Sequence, residues 1–396
     1  MSKKVEWKAK TINLGGAIAI AGICAVVGIA VGIGVKNFDG LALIGAGGET
    51  KYSVDWSELD EVYSRLKNNY NGEIDLSVVM DGAKKGLTDA IGDKYTVYMT
   101  ADEGSSYNDS LHGNVGSGIG VEMGLRDGYV RVLRTLPDNP ARNAGILAGD
   151  IIYKINGEEV WEKSSEEIAN LVRGEEGSEV AVTVVRDGKE LDFTMERDTI
   201  NNVSEYVDFD GKTAIITVTR FDDDTGQKVQ KEAEKFAEKG IEKVILDLRN
   251  NGGGYVSAAK DLLSLWIDGQ PIYTQKSKKD GNTTDYASSG KAILKDMKTV
   301  VLINGSTASA SEITAGALQD YGKATIVGEQ SYGKGLLQAL MRLTDGSYLK
   351  VTTADWYTPN GNSINTAGIT PDVVVERTYE DINKMRDPQM AKAKEL

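Results

Sequence analysis

The chain has 396 residues, with Lys+Arg 45 against Asp+Glu 59 and a formal net charge of −14. That length holds two or three domains, and the 40% hydrophobic content supports ordinary globular cores. The acidity excludes the basic footprint that a nucleic-acid partner requires.

Lys3, Lys4, Lys8 and Lys10 precede residues 11–35, a stretch with no charged side chain. As a helix at ~1.5 Å per residue it would run roughly 37 Å, against a bilayer core of about 30 Å. Residues 11–35 therefore read as one transmembrane anchor. Residues 1–10 are then cytoplasmic, and everything beyond the anchor lies outside the cell membrane. The apolar run exceeds a signal-peptide core, and no small-x-small cleavage site follows closely. Ile23 stands before Cys24, where a lipobox needs a small residue. Cys24 is the only cysteine, so no intrachain disulfide can form. Residues 36–52 are small and glycine-rich and read as a linker.

Residues 53–112 read as a helical subdomain that packs or forms a homodimer. Leu59, Val62, Leu66 and Tyr70 recur at three- and four-residue spacing, which is helical. A second helix is predicted over 76–91, with Val79, Met80, Ala83 and Leu87 on one face, ended by Gly92-Asp93-Lys94-Tyr95-Thr96. His112, the single histidine, reads as a loop residue at the entrance to the β-rich segment that follows.

Residues 113–198 are β-rich. Gly118-Ile119-Gly120-Val121 opens the segment, and a strand over 129–133 and a short helix near Pro140 follow. The run Leu147–Gly157 comes next, then a predicted helix over 165–172 and two strands at 179–186 and 191–196. Asp187-Gly188 is a good hairpin turn. This order, and above all the run from Ala144 to Gly157, resembles a PDZ domain. PDZ domains add a peptide strand to a sheet edge and hold its carboxylate on a backbone loop. Gly118, Ile119, Gly120 and Val121 are the candidate tail-binding loop. Taken alone they would be an ordinary tight turn. Arg173, at the end of the predicted helix, reads equally as a switch residue and as a solvated helix-end cation.

Residues 199–380 alternate strand and helix. Short β-branched runs at 214–218, 244–248, 299–303 and 324–327 are typical of buried strands. Amphipathic helices are predicted at 225–239 and 311–320. Residues 340–343 and 348–353 pair around Asp345-Gly346, and residues 381–396 form a C-terminal helix.

The chemistry concentrates on Ser309, within Ala308-Ser309-Ala310-Ser311-Glu312, and Lys334, within Tyr332-Gly333-Lys334-Gly335. A serine hydroxyl needs a base to become nucleophilic. Lysine serves only when neutral, and burial lowers its pKa from about 10.4. Gln338 lies four residues beyond Lys334. If that stretch is helical, the two side chains share a face. Ser309 directly precedes a predicted helix, so the Ala310 N–H is free to serve an oxyanion hole. The glycine-rich turn at Gly252-Gly253-Gly254 offers a second donor. Ser306 and Ser311 are rival nucleophiles, either of which could instead cap the helix. Glu312 reads as a first-turn helix carboxylate.

Taken together these motifs resemble the carboxy-terminal processing proteases, also called tail-specific proteases, over roughly residues 55–396. The resemblance rests on Gly92–Thr96, the PDZ run, 246–254, Ala308–Glu312, Tyr332–Gly335, Tyr357-Thr358-Pro359-Asn360-Gly361 and Asp387-Pro388-Gln389-Met390. It implies an α/β fold with a crotonase-like (ClpP/crotonase-type) core and an inserted PDZ domain. It also implies Ser309 as nucleophile, Lys334 as general base and Gln338 as its support, with Ala310 and Gly253 or Gly254 in the oxyanion hole. Thr307 and Asn251-Gly252 depart from common members without removing a reacting group. No cofactor or metal is expected. The implied function is a membrane-anchored serine endopeptidase acting on protein substrates with exposed C-terminal tails. The alternative is a catalytically inactive PDZ adaptor. A crotonase-type acyl-CoA enzyme is suggested by core fold alone.

Overall fold

The computed structural model describes residues 55–396, except residues 114, 115, 127, 201 and 385. The predicted anchor and linker lie outside the described residues. Among the described residues no helix is long and apolar enough to cross a membrane. The chain divides into two compact units, Met1–Ile74 and Asp75–Leu396. The described part of the first holds the helix Ser57–Asn69, which buries none of its residues and leaves Leu59, Val62 and Leu66 exposed.

The second unit is built around a six-stranded sheet in the order Glu205–Asp210, Thr213–Val218, Lys243–Asp247, Lys298–Ile303, Thr325–Gly328, Val373–Val374. The first pair is antiparallel and the rest are parallel. Successive side chains of a strand point to opposite faces, and here both faces are covered. Val244, Leu246, Val301 and Ile303 join a large cluster with Phe221, Phe236, Trp266 and the helix Ala310–Asp320. Ile245, Val300, Leu302 and Val327 pack against Ala393 and Met390 of the C-terminal helix Pro388–Glu395. Two-sided burial is why the strands read as unbroken apolar runs.

A second, antiparallel sheet carries the Lys334 region. Its long strand Tyr348–Tyr357 pairs with Val97–Met99 and Pro271–Ser277 along one edge and with Leu336–Arg342 along the other. The predicted hairpin around Asp345-Gly346 is therefore present and longer than its apolar residues suggest. The predicted helix 225–239 stops at Ala233. The chain continues in turns to Gly240, whose φ of 65° ends helical propagation.

Residues 117–199 form a sheet with its own apolar core, in which Ile119, Val132, Ile146, Ile168 and Val182 are buried. Its strands Val121–Arg126, Tyr129–Thr135, Ile151–Ile155, Glu179–Arg186 and Lys189–Glu196 are antiparallel neighbours, and the helix Ser165–Val172 packs on them. Ser117–Gly118 pairs with Asp198–Thr199 where the chain enters and leaves. Asp187 and Gly188 have φ of 52° and 73°, the backbone of a two-residue hairpin whose twist suits its strands.

Candidate active site

Ser309 caps the helix Ala310–Asp320 with φ 57° and ψ −118°. Side-chain-bearing residues rarely occupy this region, at a cost of about 1–3 kcal/mol, so the surroundings must impose it. Asn251 and Glu312, both fully buried, do so. The Asn251 carbonyl accepts from the Ala308 N–H at 3.0 Å and from Ser311 Oγ at 3.0 Å. Its side-chain amide donates to the Val218 carbonyl at 2.8 Å. The rival Ser311 is thereby committed to structure, being fully buried with its hydroxyl on Asn251. Thr307 is structural too, donating from Oγ1 to the Leu248 carbonyl at 2.9 Å. Ser306 lines a separate cleft beside Arg249 and Arg377.

Glu312 is the joint of the site. Its Oε2 accepts from the Ser309 N–H at 2.8 Å and from the Lys334 N–H at 2.9 Å. Its Oε1 accepts from the Gly333 N–H at 2.7 Å and from Ser331 Oγ at 2.6 Å. One carboxylate thus ties the Ser309 backbone to the Lys334 backbone. The sequence placed Glu312 in the first turn of the helix, which is correct, but not this longer reach. The only local signal was an acidic residue three positions after the cap.

Lys334 follows Gly333, whose φ is 86°, and an added Cβ there would lie 2.9 Å from the Thr366 backbone. At Gly335 an added Cβ would lie 2.7 Å from the Asn365 N. The buried Trp356 indole donates to the Lys334 carbonyl at 3.1 Å. Lys334 Nζ donates to Gln338 Oε1 at 3.0 Å and lies 5.4 Å from the centre of the Tyr95 ring. Gln338 Nε2 donates to the Tyr95 carbonyl at 3.0 Å, which turns its oxygen toward the lysine. Gln338 does not sit on a helix, as its spacing had suggested. It belongs to the strand Leu336–Arg342, and a register irregularity at Leu337/Gln338 re-aims the side chain. Burial lowers the Lys334 pKa, the Lys350 charge lowers it further, and Glu312 opposes both. Ser309 Oγ makes no hydrogen bond to Lys334 Nζ in this structure. The two residues meet through Glu312.

Gly253 lies directly against Ser309. An added Cβ would stand 2.8 Å from Ser309 Cβ and 3.0 Å from the Ala310 N, and its φ is 104°. The Gly253 N–H donates to Asn251 Oδ1 at 2.9 Å. Gly254, at φ 142°, packs on the Phe221 backbone, where an added Cβ would meet the carbonyl at 2.1 Å. Ala310 opens its helix, so its N–H has no intrahelical acceptor.

The Gly118–Val121 loop lines a cleft of about 300 Å³ that also borders Val172 and Arg173. The Ile119 and Gly120 carbonyls accept from the Ala141 and Leu136 N–H groups at 2.8 and 2.9 Å. A trans peptide points its N–H opposite to its carbonyl, so the Gly120 and Val121 N–H groups face away from those partners. Arg173 donates to Asn170 Oδ1 at 3.0 Å, a local bond that does not reach Ser309. His112 lies in the turn that ends the helix Ala101–Leu111, as expected of a loop residue, and its ring pairs with Asp223 Oδ2 at 3.2 Å. Among the described residues no group of His, Cys, Asp and Glu could hold a metal.

The model of peptidase family S41 matches residues 212–375, and that of the PDZ domain matches residues 117–196. A probable CtpA-like serine protease of Staphylococcus aureus (strain COL) is 33% identical over 329 residues, covering 83% of this chain and 66% of that protein. The Staphylococcus epidermidis protein of that description is 32% identical over 332 residues and matches over 67% of its length. The chain thus spans about two thirds of the length of the curated relatives it matches. Among solved structures, the photosystem II D1 C-terminal processing protease superposes with a TM-score of 0.60 at 27% identity, covering 82% of this chain and 87% of that one. A strained serine tied through Glu312 to a half-buried lysine, in a chain that also carries a PDZ domain, agrees with these likenesses, and the chain belongs to peptidase family S41.

Proposed function

We propose that the protein is a serine endopeptidase that draws the C-terminal tail of a protein substrate into its PDZ cleft and cleaves it through an acyl-enzyme. The observation that carries this reading is the Glu312 clamp, which fixes strained Ser309 and half-buried Lys334 through adjacent hydrogen bonds. In this mechanism neutral Lys334 takes the proton of Ser309 Oγ as the oxygen bonds to the scissile carbonyl carbon. The oxyanion is held by the Ala310 N–H and by that of Gly254 or, once released from Asn251 Oδ1, that of Gly253, whose turn lies against Ser309. The Lys334 ammonium then protonates the departing amine, and water releases the acyl group by the same steps. Gln338 holds Lys334 between turnovers. Substrate entry moves Nζ from Gln338 onto Ser309, and Arg173 is the PDZ-side switch for that motion.

In the same reading the core is crotonase-like, residues 11–35 anchor the chain in the cell membrane, and the catalytic part is extracytoplasmic. The domain limits are then 1–10, 11–35, 36–52, 53–112, 113–198, 199–380 and 381–396, with 53–112 the dimerising segment. Replacing Ser309 by Ala is expected to abolish cleavage of a substrate with an unstructured tail while the melting temperature holds. Retained cleavage sinks the assignment. The second reading, an inactive tail-binding adaptor, draws support from the missing Ser309–Lys334 hydrogen bond. Covalent labelling of Ser309 by a fluorophosphonate separates the two, since an adaptor stays unlabelled.

A further inference from the structure

One wall of the tail cleft comes from the core, at Thr219 and Arg220. Arg220 Nη2 donates to Asp222 Oδ2 at 2.9 Å. Its Nε and Nη1 are buried and have no hydrogen-bond partner among the described residues. A guanidinium carries five N–H donors and cannot shed its charge, so unpaired buried donors on it are destabilising. The other two arginines of the cleft are engaged. Arg134 Nε stands 2.5 Å from Glu122 Oε2 as an ion pair without hydrogen-bond geometry, and Arg173 bonds Asn170. The Tyr206 hydroxyl, also buried and without a hydrogen-bond partner among the described residues, lies in the field of Arg134, Arg220 and Arg142, opposed by Glu205. The junction therefore holds buried donors without acceptors, although its arginine charges are balanced, Arg220 by Asp222 and Arg134 by Glu122.

We propose that Arg220 is the carboxylate receptor of the tail cleft, its unpaired N–H donors taking a carboxylate of the entering tail. The carboxylate is either the chain terminus or an acidic side chain close to it. This rests on the tail-reading function proposed above. Arg220 belongs to the core, so a tail held there touches both modules. The next residue matters as well. The Phe221 N–H donates to the Gly253 carbonyl at 2.9 Å, and its carbonyl accepts from the Tyr255 N–H at 2.8 Å. A tail seated on Arg220 is thus fixed one residue from the segment that holds the turn against Ser309.

The test measures peptide binding by fluorescence anisotropy to the detergent-solubilised full chain carrying Ser309→Ala, which prevents turnover. Three labelled peptides are compared: one ending Glu-Ala with a free carboxylate, its C-terminal amide, and its Glu→Gln form. Neutralising whichever carboxylate Arg220 holds should weaken binding at least ~10-fold, the scale of a desolvated charge pair losing one partner. In Arg220→Gln the free-acid peptide should bind as weakly as that neutral peptide, with no further loss between them. The arm that collapses identifies the source of the carboxylate. A circular-dichroism melt accompanies each variant. Arg220→Lys, which keeps a charge beside Asp222 without the planar fork, stands in if Arg220→Gln unfolds, and should reduce the preference about threefold. An unchanged preference for both carboxylates in the folded variant overturns the inference alone. Failure of every peptide to bind the parent chain overturns the tail-reading function together with it.

Discussion

At the scale of single residues the site turns on Glu312. Four donors converge on its two oxygens, and an amide in its place offers one acceptor and directs N–H groups at N–H groups. Glu312→Gln is expected to cost on the order of 2–4 kcal/mol through unsatisfied buried donors and to slow fluorophosphonate labelling of Ser309. A variant with unchanged melting temperature and labelling rate would show that the clamp is dispensable. Lys334 gives a second test. Burial, then Lys350, place its pKa below the ordinary value, so the neutral base is available at lower pH and activity rises with pH through that lowered value. Lys350 is itself partly buried, and its Nζ lies 4.7 Å from the centre of the Tyr107 ring. Lys350→Met removes the repelling charge, so the rising limb of the pH–rate profile should move upward, toward the ~10.4 of an ordinary lysine. A limb that stays in place, with chemistry rate-limiting, removes Lys350 from the mechanism. Ser309, Lys334 and Gln338 were legible as a group because glycine flanks and residue type mark them locally. Asn251 and Glu312 were not, because their partners lie far along the chain.

Elements set the geometry that these residues inherit. The strand Lys243–Asp247 ends in the turn that reaches Ser309, and the helix Ala310–Asp320 begins there. Gly253→Ala would place a methyl 2.8 Å from Ser309 Cβ at a φ of 104°. The turn must then withdraw. A loss of roughly 10²–10³-fold in kcat is expected if the oxyanion hole is disrupted, with substrate binding less affected. Equal losses in kcat and in tail binding would point instead to a general collapse of the turn. Most strands were readable from apolar runs, since two-sided burial demands them. The Gln338 strand was not, because lysine-to-glutamine spacing of four fits a helix as well. Pairing with Tyr348–Tyr357 decides the matter.

For the whole molecule, closure depends on the C-terminal segment. Arg249 Nη1 donates to both Asp387 oxygens at 2.9 Å and to Gln389 Oε1 at 3.0 Å, while the Arg249 side chain also pairs with Asp247 at 2.6 Å. The Lys243 ammonium caps the far end of the helix Pro388–Glu395 through the Ala393 and Lys394 carbonyls, at 2.5 and 3.0 Å. Asp387→Ala is expected to lower stability by about 1–3 kcal/mol and to speed amide exchange across that helix. Exchange unchanged there would mean that apolar packing of Met390 and Ala393 alone holds it. The strand beside Ser309 and the terminal helix share this contact, so damage at the chain end should also slow labelling of Ser309.

The sequence by itself determined the module order and the buried strands, and it singled out Ser309 and Lys334 as the proposed reacting pair. Apolar periodicity, glycine placement and the near absence of histidine are local properties that any fold must respect. Only the tertiary structure decided how the pair is held. It put one buried carboxylate between Ser309 and Lys334, set Gln338 on a strand, and brought Arg220 of the core to the wall of the tail cleft. Each of these is a contact between segments far apart in the chain, and such contacts exist only after burial has chosen which segments become neighbours.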